Sequence, residues 1–262
     1  MNIPLLLEQI RYRFVGHHGI KQRMVECRGG TLDKMVEINQ KSKLFYTVVP
    51  KAANSSIKRL LWADLGVVLS AEETMRTVHK RKKPQPTTPP SQLTDTRLQE
   101  ILADETWLKF SFVRNPYTRL YSAFQDKILD PSRNRNFLTR MEWDGKELPD
   151  FRQFVEKIVA QPVERMDWHW RPQESLLMRE IIPYQFIGRI EHFRTDLSPV
   201  LARLSLDDKL LDELLGVKTN ATGNSARKEK KLPFTSEVAE LIYRKYEQDF
   251  LLFGYEKDSW QG

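Results

Sequence analysis

The stretch "LFYTVVPKAANSSIKRLL", Leu44 to Leu61, decides the fold. Its first six residues are an apolar, β-rich run, and Ile57, Leu60 and Leu61 recur at helical spacing. Between them lie Pro50, Lys51, Ala52, Ala53, Asn54, Ser55 and Ser56. Strand, short loop, helix is where α/β proteins hold anions, because the first N–H groups of a helix are unpaired and its dipole favours negative charge. Lys51 adds a point charge, and the two serines add hydroxyl donors. The Walker pattern GxxxxGK[ST] is absent, since residues 50–58 contain no glycine, which counts against an ATP- or GTP-hydrolysing loop.

A second stretch repeats the logic. "FVRNPYTRLYSAFQDK" (112–127) follows the strand-like "LKFSFV" (108–113), with Pro116 suited to a helix first turn. Arg114 stands at the strand's end, fit for a forked grip on phosphate, and Ser122 lies two turns into the helix. Two anion-holding strand ends along one carboxyl edge call for a ligand with two separated anionic groups, such as a nucleotide phosphorylated at both ends.

The remaining pattern is α/β. Thr94 to Trp107 reads as a helix capped by Thr94 or Asp95, and "DFRQFVEKIVA" as one capped by Asp150. Residues 184–191 read as a third strand, and helices are expected at about 192–204, 207–215 and 235–248. The expectation is a mainly parallel central sheet flanked by helices, in one domain over 1–262 with an N-terminal extension at 1–40. The proline- and lysine-rich "HKRKKPQPTTPPSQ" (79–92) reads as a surface loop, as does 129–136.

The 42 basic against 35 acidic residues leave a net charge of +7, which suits an anionic ligand without choosing one. Cys27 is the single cysteine, so no intrachain disulfide forms. No apolar run reaches the roughly 18 residues of a membrane span. Together these point to a cytoplasmic, bacterial protein, with a trimmed Golgi-luminal domain as the alternative.

"PKAANSSIKRLL" and "FVRNPYTRLYSAFQDK" resemble the 5′-phosphosulfate loop and the 3′-phosphate motif of sulfotransferases. "DWHWRPQ" (167–173), "YQFIGRIEHFRTDL" (184–197) and "IYRKYEQDFLLFGY" (242–255) resemble sulfotransferase family 2, the carbohydrate sulfotransferases, in the same order. Asn115 stands where that family commonly has an acidic residue. The resemblance implies a P-loop-like, nucleotide-binding sulfotransferase fold. It implies 3′-phosphoadenosine-5′-phosphosulfate (PAPS) as donor, with PAP as product, and a carbohydrate hydroxyl as acceptor. Lys51 would meet charge on the bridging oxygen, while Ser55, Ser56 and the amides of Ala52, Ala53 and Asn54 would hold the 5′-phosphate. Arg114 and Ser122 would hold the 3′-phosphate, and Ser225 and Arg227, after "NATGNS", would close on the nucleotide. Neither a metal, a nucleic acid nor a membrane span is expected.

Sulfuryl transfer also needs a base for the acceptor hydroxyl. His169 is the first candidate, lying between Trp168 and Trp170 with Asp167 and Glu174 nearby; a structural histidine in an aromatic cluster is the alternative. His79 and Glu174 are its rivals. The basic runs 76–83 and 226–231 could contact an acidic glycan or the 3′-phosphate, and the first reads foremost as a solvated charge run. Two other functions stay open at this level: a nucleotide-dependent phosphotransferase, and a non-catalytic polyanion-binding module.

Overall fold

The computed structural model describes residues 19–70, 73, 86–132, 134–216 and 233–261. Four strands, β1 (Val36–Asn39), β2 (Leu44–Thr47), β3 (Leu108–Val113) and β4 (Phe186–Arg189), form one sheet in the order β1-β2-β3-β4. β2, β3 and β4 are parallel, with Thr47 opposite Ser111 and Val113 opposite Arg189. β1 is antiparallel to β2 and lies at the edge.

The helices are α1 (Ile20–Arg28), α2 (Asn54–Asp64), α3 (Asp95–Ala103), α4 (Pro116–Lys127), α5 (Asn134–Arg140), α6 (Phe151–Val159) and α7 (Gln173–Leu177), followed by α8 (Phe193–Asp196), α9 (Ser198–Leu201), α10 (Asp208–Gly216) and α11 (Ser236–Phe253). They cover both faces of the sheet, as the near-continuous apolar character of β2 and β3 requires. Leu44, Tyr46, Phe110 and Phe112 pack on one face against Ile57, Leu60 and Leu61 of α2. Phe45, on the opposite face, packs against Met24 of α1 and Leu98 and Ile101 of α3. A third cluster joins Leu120 and Phe124 of α4 to Phe154 and Ile158 of α6 and Ile242 and Phe250 of α11.

The caps follow the sequence. Thr94 accepts the Arg97 N–H, Asn115 accepts the Tyr117 N–H with Pro116 at the first position, and Asp150 makes a reciprocal capping box with Gln153. Three expectations need correction. The N-terminal extension set at 1–40 is in part core: from Ile20 on, the chain supplies α1, whose Met24 is fully buried, and β1. The helix expected at 192–204 is broken into a 3₁₀ turn and two four-residue helices, with Pro199 opening the last. The loop expected at 129–136 gives way to α5 from Asn134. Of the proline- and lysine-rich loop, residues 79–85 lie outside the described residues, while Thr88 bridges to Ile38 at the sheet edge.

Candidate functional site

The carboxyl ends of β2 and β3 are neighbours in the parallel register, so the two loops read as anion grips lie side by side. After β2 the chain turns through Lys51 and Ala53, both at positive φ (69° and 55°). Such a backbone is ordinarily left to glycine and costs a non-glycine residue of order 1 kcal/mol. The glycine-free loop thus adopts glycine-like geometry. Ala53 precedes α2 and makes no side-chain cap of its own. Ala52 is fully buried and Ser55 nearly so, while Asn54 and Ser56 are half-buried.

Arg114 follows β3 directly. Its backbone is held at both ends by Gln173, whose side chain accepts the Arg114 N–H (2.9 Å) and donates to its carbonyl (2.8 Å). Arg114 Nε donates to Thr118 Oγ1 (3.0 Å) and Nη1 reaches the Lys51 carbonyl at 3.5 Å, so the two grips touch. Nη2 has no hydrogen-bond partner among the described residues, nor has Ser122 Oγ, although Ser122 is only 7% exposed. Donors left without a partner near the surface of the site are suited to an anionic group. Asn115 serves as helix cap and donates through Nδ2 to Ser259 Oγ (2.7 Å), while its N–H is taken by Glu191 (2.8 Å).

Lys51 Nζ, 11% exposed at its side chain, donates to Asp126 Oδ2 at 3.0 Å. Burial lowers its pKa, Asp126 opposes that, and Lys127 and Arg114 add to the lowering. Lys127 Nζ reaches the same Asp126 oxygen at 3.0 Å and lies 5.2 Å from the Phe137 ring centroid. Phe137 in turn meets the His169 ring edge-on at 5.3 Å.

His169, 26% exposed at its side chain, hydrogen-bonds through Nδ1 to Asp167 Oδ1 at 2.6 Å, and Arg140 holds the other oxygen at 2.5 Å. A carboxylate on Nδ1 fixes the tautomer with the proton there and leaves Nε2 able to accept one. Burial pushes the imidazole pKa down, Asp167 pushes it up, and the charges of Lys127 and Lys51 push it down again. The geometric link to the β2 loop runs through Phe137, Lys127 and Asp126 to Lys51. Glu174 instead meets the buried Asp249 through its backbone: its main-chain N–H donates to Asp249 Oδ1 (2.8 Å), and burial and that carboxylate raise the pKa of its side chain. His79, Ser225 and Arg227 lie outside the described residues. Trp168 and Trp170 are held structurally, with Trp170 fully buried and Trp168 5.6 Å from the Arg28 guanidinium.

Sequence reasoning missed Asp126, Lys127 and Arg119. Arg119 is fully buried and ties the site together, donating to the carbonyls of Pro50 (3.0 Å), Trp168 (3.0 Å) and Arg171 (2.9 Å). The signal was available: Arg119, Ser122 and Asp126 fall at i, i+3 and i+7, a polar stripe on one face of α4.

The model of the sulfotransferase family matches residues 34–256, most of the chain. The chain belongs to the sulfotransferase family. It is 26% identical over 187 residues to carbohydrate sulfotransferase 14 of Danio rerio, covering 66% of this chain and 49% of that protein. Carbohydrate sulfotransferase 12 of Xenopus laevis is 30% identical over 174 residues, 58% of this chain and 40% of the relative. Human carbohydrate sulfotransferase 8 is 27% identical over 279 residues, 95% of this chain and 63% of the relative. The chain thus spans about half the length of the first relatives it matches. No solved structure gives a significant match. Lys51 and Arg114 follow the ends of β2 and β3, Ser122 lies within α4, and no helix among the described residues is long and apolar enough to cross a membrane.

Proposed function

We propose that the protein transfers a sulfuryl group from PAPS to a carbohydrate hydroxyl. What supports the reading is the contact between the two anion grips: the start of α2, behind two positive-φ residues, lies beside Arg114, whose guanidinium is 3.5 Å from the Lys51 carbonyl. A nucleotide with phosphates at both ends spans such a pair. The relatives are named as carbohydrate sulfotransferases, which supports the acceptor class. Cys27 is exposed and free, and a cytoplasmic setting is kept within the proposal on that ground.

In this reading, PAPS supplies an activated sulfuryl group whose bond to the 5′-phosphate oxygen breaks as the acceptor oxygen bonds to sulfur. Ser55, Ser56 and the amides of Ala52, Ala53 and Asn54 hold the 5′-phosphate. Arg114 and Ser122, with their unmet donors, hold the 3′-phosphate. Lys51 carries positive charge to the bridging oxygen as it becomes anionic. His169 takes the acceptor proton on Nε2, and Asp167 stabilises the imidazolium that results.

Calorimetric titration with PAP tests the nucleotide site. Wild type is expected to bind, and Arg114→Ala to bind at least about tenfold more weakly, the loss of one charge-assisted contact. Lys51→Ala should lose about 100-fold or more in transfer from labelled PAPS to a panel of glycans while melting like wild type. A folded wild type that binds no PAP at low or moderate salt overturns the reading.

A further inference from the structure

The resemblance gives Lys51 a role but says nothing of why an aspartate sits on it. We propose that Asp126 is a positioning residue of the transfer site, its one oxygen holding the ammonium groups of Lys51 and Lys127 side by side, so that Lys127 presents a second cation to the sulfuryl group. The inference rests on the nucleotide reading above.

The geometry carries it. Asp126 Oδ2 receives Lys51 Nζ and Lys127 Nζ at 3.0 Å each, and all three side chains are largely buried, with 11–15% exposure. A single carboxylate offsets only one of two ammonium charges, so the cluster keeps a net positive charge in a sheltered place. Asp126 lies between the two ammonium groups and offsets one charge; the charge that remains favours a further anion beside the pair. A passing sulfuryl group, anionic at its outer oxygens, meets that need.

Lys127 is also on the correct side. It lies over Phe137, whose ring edge meets His169, so Lys127 stands between Lys51 at the leaving-group end and His169 at the acceptor end. The chain of contacts runs Lys51, Asp126, Lys127, Phe137, His169, Asp167. Asp126 and Lys127 are adjacent at the last turn of α4, and Ser122 lies one turn before Asp126 on the same face. The helix that carries the 3′-phosphate hydroxyl therefore also sets the position of the transferring group.

Asp126 has a second consequence. The groups that bear on Lys51 are Asp126 and Lys127 from α4, Arg114 from the end of β3, and His169 from the loop before α7. Only Asp126 among them keeps Lys51 protonated; burial and the cations work the other way. Without the carboxylate, Lys51 loses its proton at lower pH.

PAP and PAPS differ by the sulfuryl group alone, so calorimetry with both separates this inference from the reading beneath it. Lys127→Met is expected to weaken PAPS by about tenfold and PAP by less than about twofold. In Asp126→Asn, the alkaline decline of PAPS affinity should begin about one pH unit lower than in wild type, with the far-ultraviolet spectrum unchanged. If Lys127→Met weakens PAP and PAPS equally, or neither, the second-cation role is wrong. If the Asp126→Asn profile superimposes on wild type, the positioning role is wrong. Should Asp126→Asn not fold, the Lys127→Met comparison alone decides. A wild type that binds neither nucleotide removes the nucleotide site itself, and this inference with it.

Discussion

His169 and Asp167 show what a single residue's surroundings decide. An unperturbed histidine titrates near 6.5. Here burial lowers the imidazole further and the Lys51 and Lys127 charges add to that, against the pull of Asp167. Net lowering means the neutral, proton-accepting form persists to more acid pH than usual. The acid limb of kcat/KM should accordingly fall below pH 6.5. Asp167→Asn removes the one group that raises the imidazole pKa, so the acid limb should move lower still while kcat falls by about 100-fold or more. A pH–rate series on both proteins checks this, and an acid limb that stays in place would assign the proton to another group. Lys51, Arg114 and His169 were legible in the sequence because each stands beside an unmistakable local pattern: a strand end, or a pair of tryptophans. Asp126 was not, because its importance comes from a lysine 75 positions away that only the fold brings to it.

At the scale of elements, strands β2 and β3 and helices α2, α4, α6 and α11 announced themselves by periodicity and caps. β1 did not. Its four residues include Glu37 and Asn39, polar yet buried, which broke the apolar signal; Lys58 of α2 pairs with Glu37 at 2.5 Å, and Asn39 donates to Asp64 at 2.8 Å. Asp64 is the clearest structural example. Its carboxylate, at the end of α2, accepts from Asn39 (2.8 Å), Ser42 (2.6 Å), Lys41 (3.2 Å) and the Ser205 N–H (2.8 Å), joining the β1–β2 hairpin, α2 and the segment before α10. Burial alone would raise its pKa, but these donors, Ser42 foremost, lower it. Asp64→Ala should cost about 3 kcal/mol, because four donors lose a charged acceptor at a buried position. The sign with pH follows: a folded pKa below the unfolded value near 3.9 gives stability that is complete above that value and lost as pH falls through the folded one. Denaturant melts of wild type and Asp64→Ala should differ most at neutral pH and converge toward strongly acid pH. A constant gap across that range would show that the carboxylate's charge is not what stabilises the junction.

Across the whole molecule, the proposed nucleotide site is a seam between separately built parts. The β2 loop belongs to the α2 face of the sheet, Arg114 and Ser122 to the α4 side, and His169 to a segment pinned through Arg119 to both Pro50 and the 168–171 turn. Arg119 makes these bonds to carbonyls from a fully buried position, with no carboxylate in ion-pair contact among the described residues and Asp249 and Asp167 acting on it from further off, so its positive charge beneath the loop favours an anion there. A ligand that grips both strand ends should therefore staple the seam and stabilise the fold as one unit. At 100 times its dissociation constant, such a ligand adds about 2.7 kcal/mol, or roughly 5–10 °C in melting temperature for a chain of this size. PAP should produce that shift. Adenosine 5′-phosphate, which engages the β2 loop without reaching Arg114 and Ser122, should produce a clearly smaller one at the same concentration, and Arg114→Ala should erase the difference between the two nucleotides. Equal shifts from both nucleotides in wild type would mean that only one end of the seam is gripped, and that Arg114 beside the Lys51 loop is packing rather than recognition.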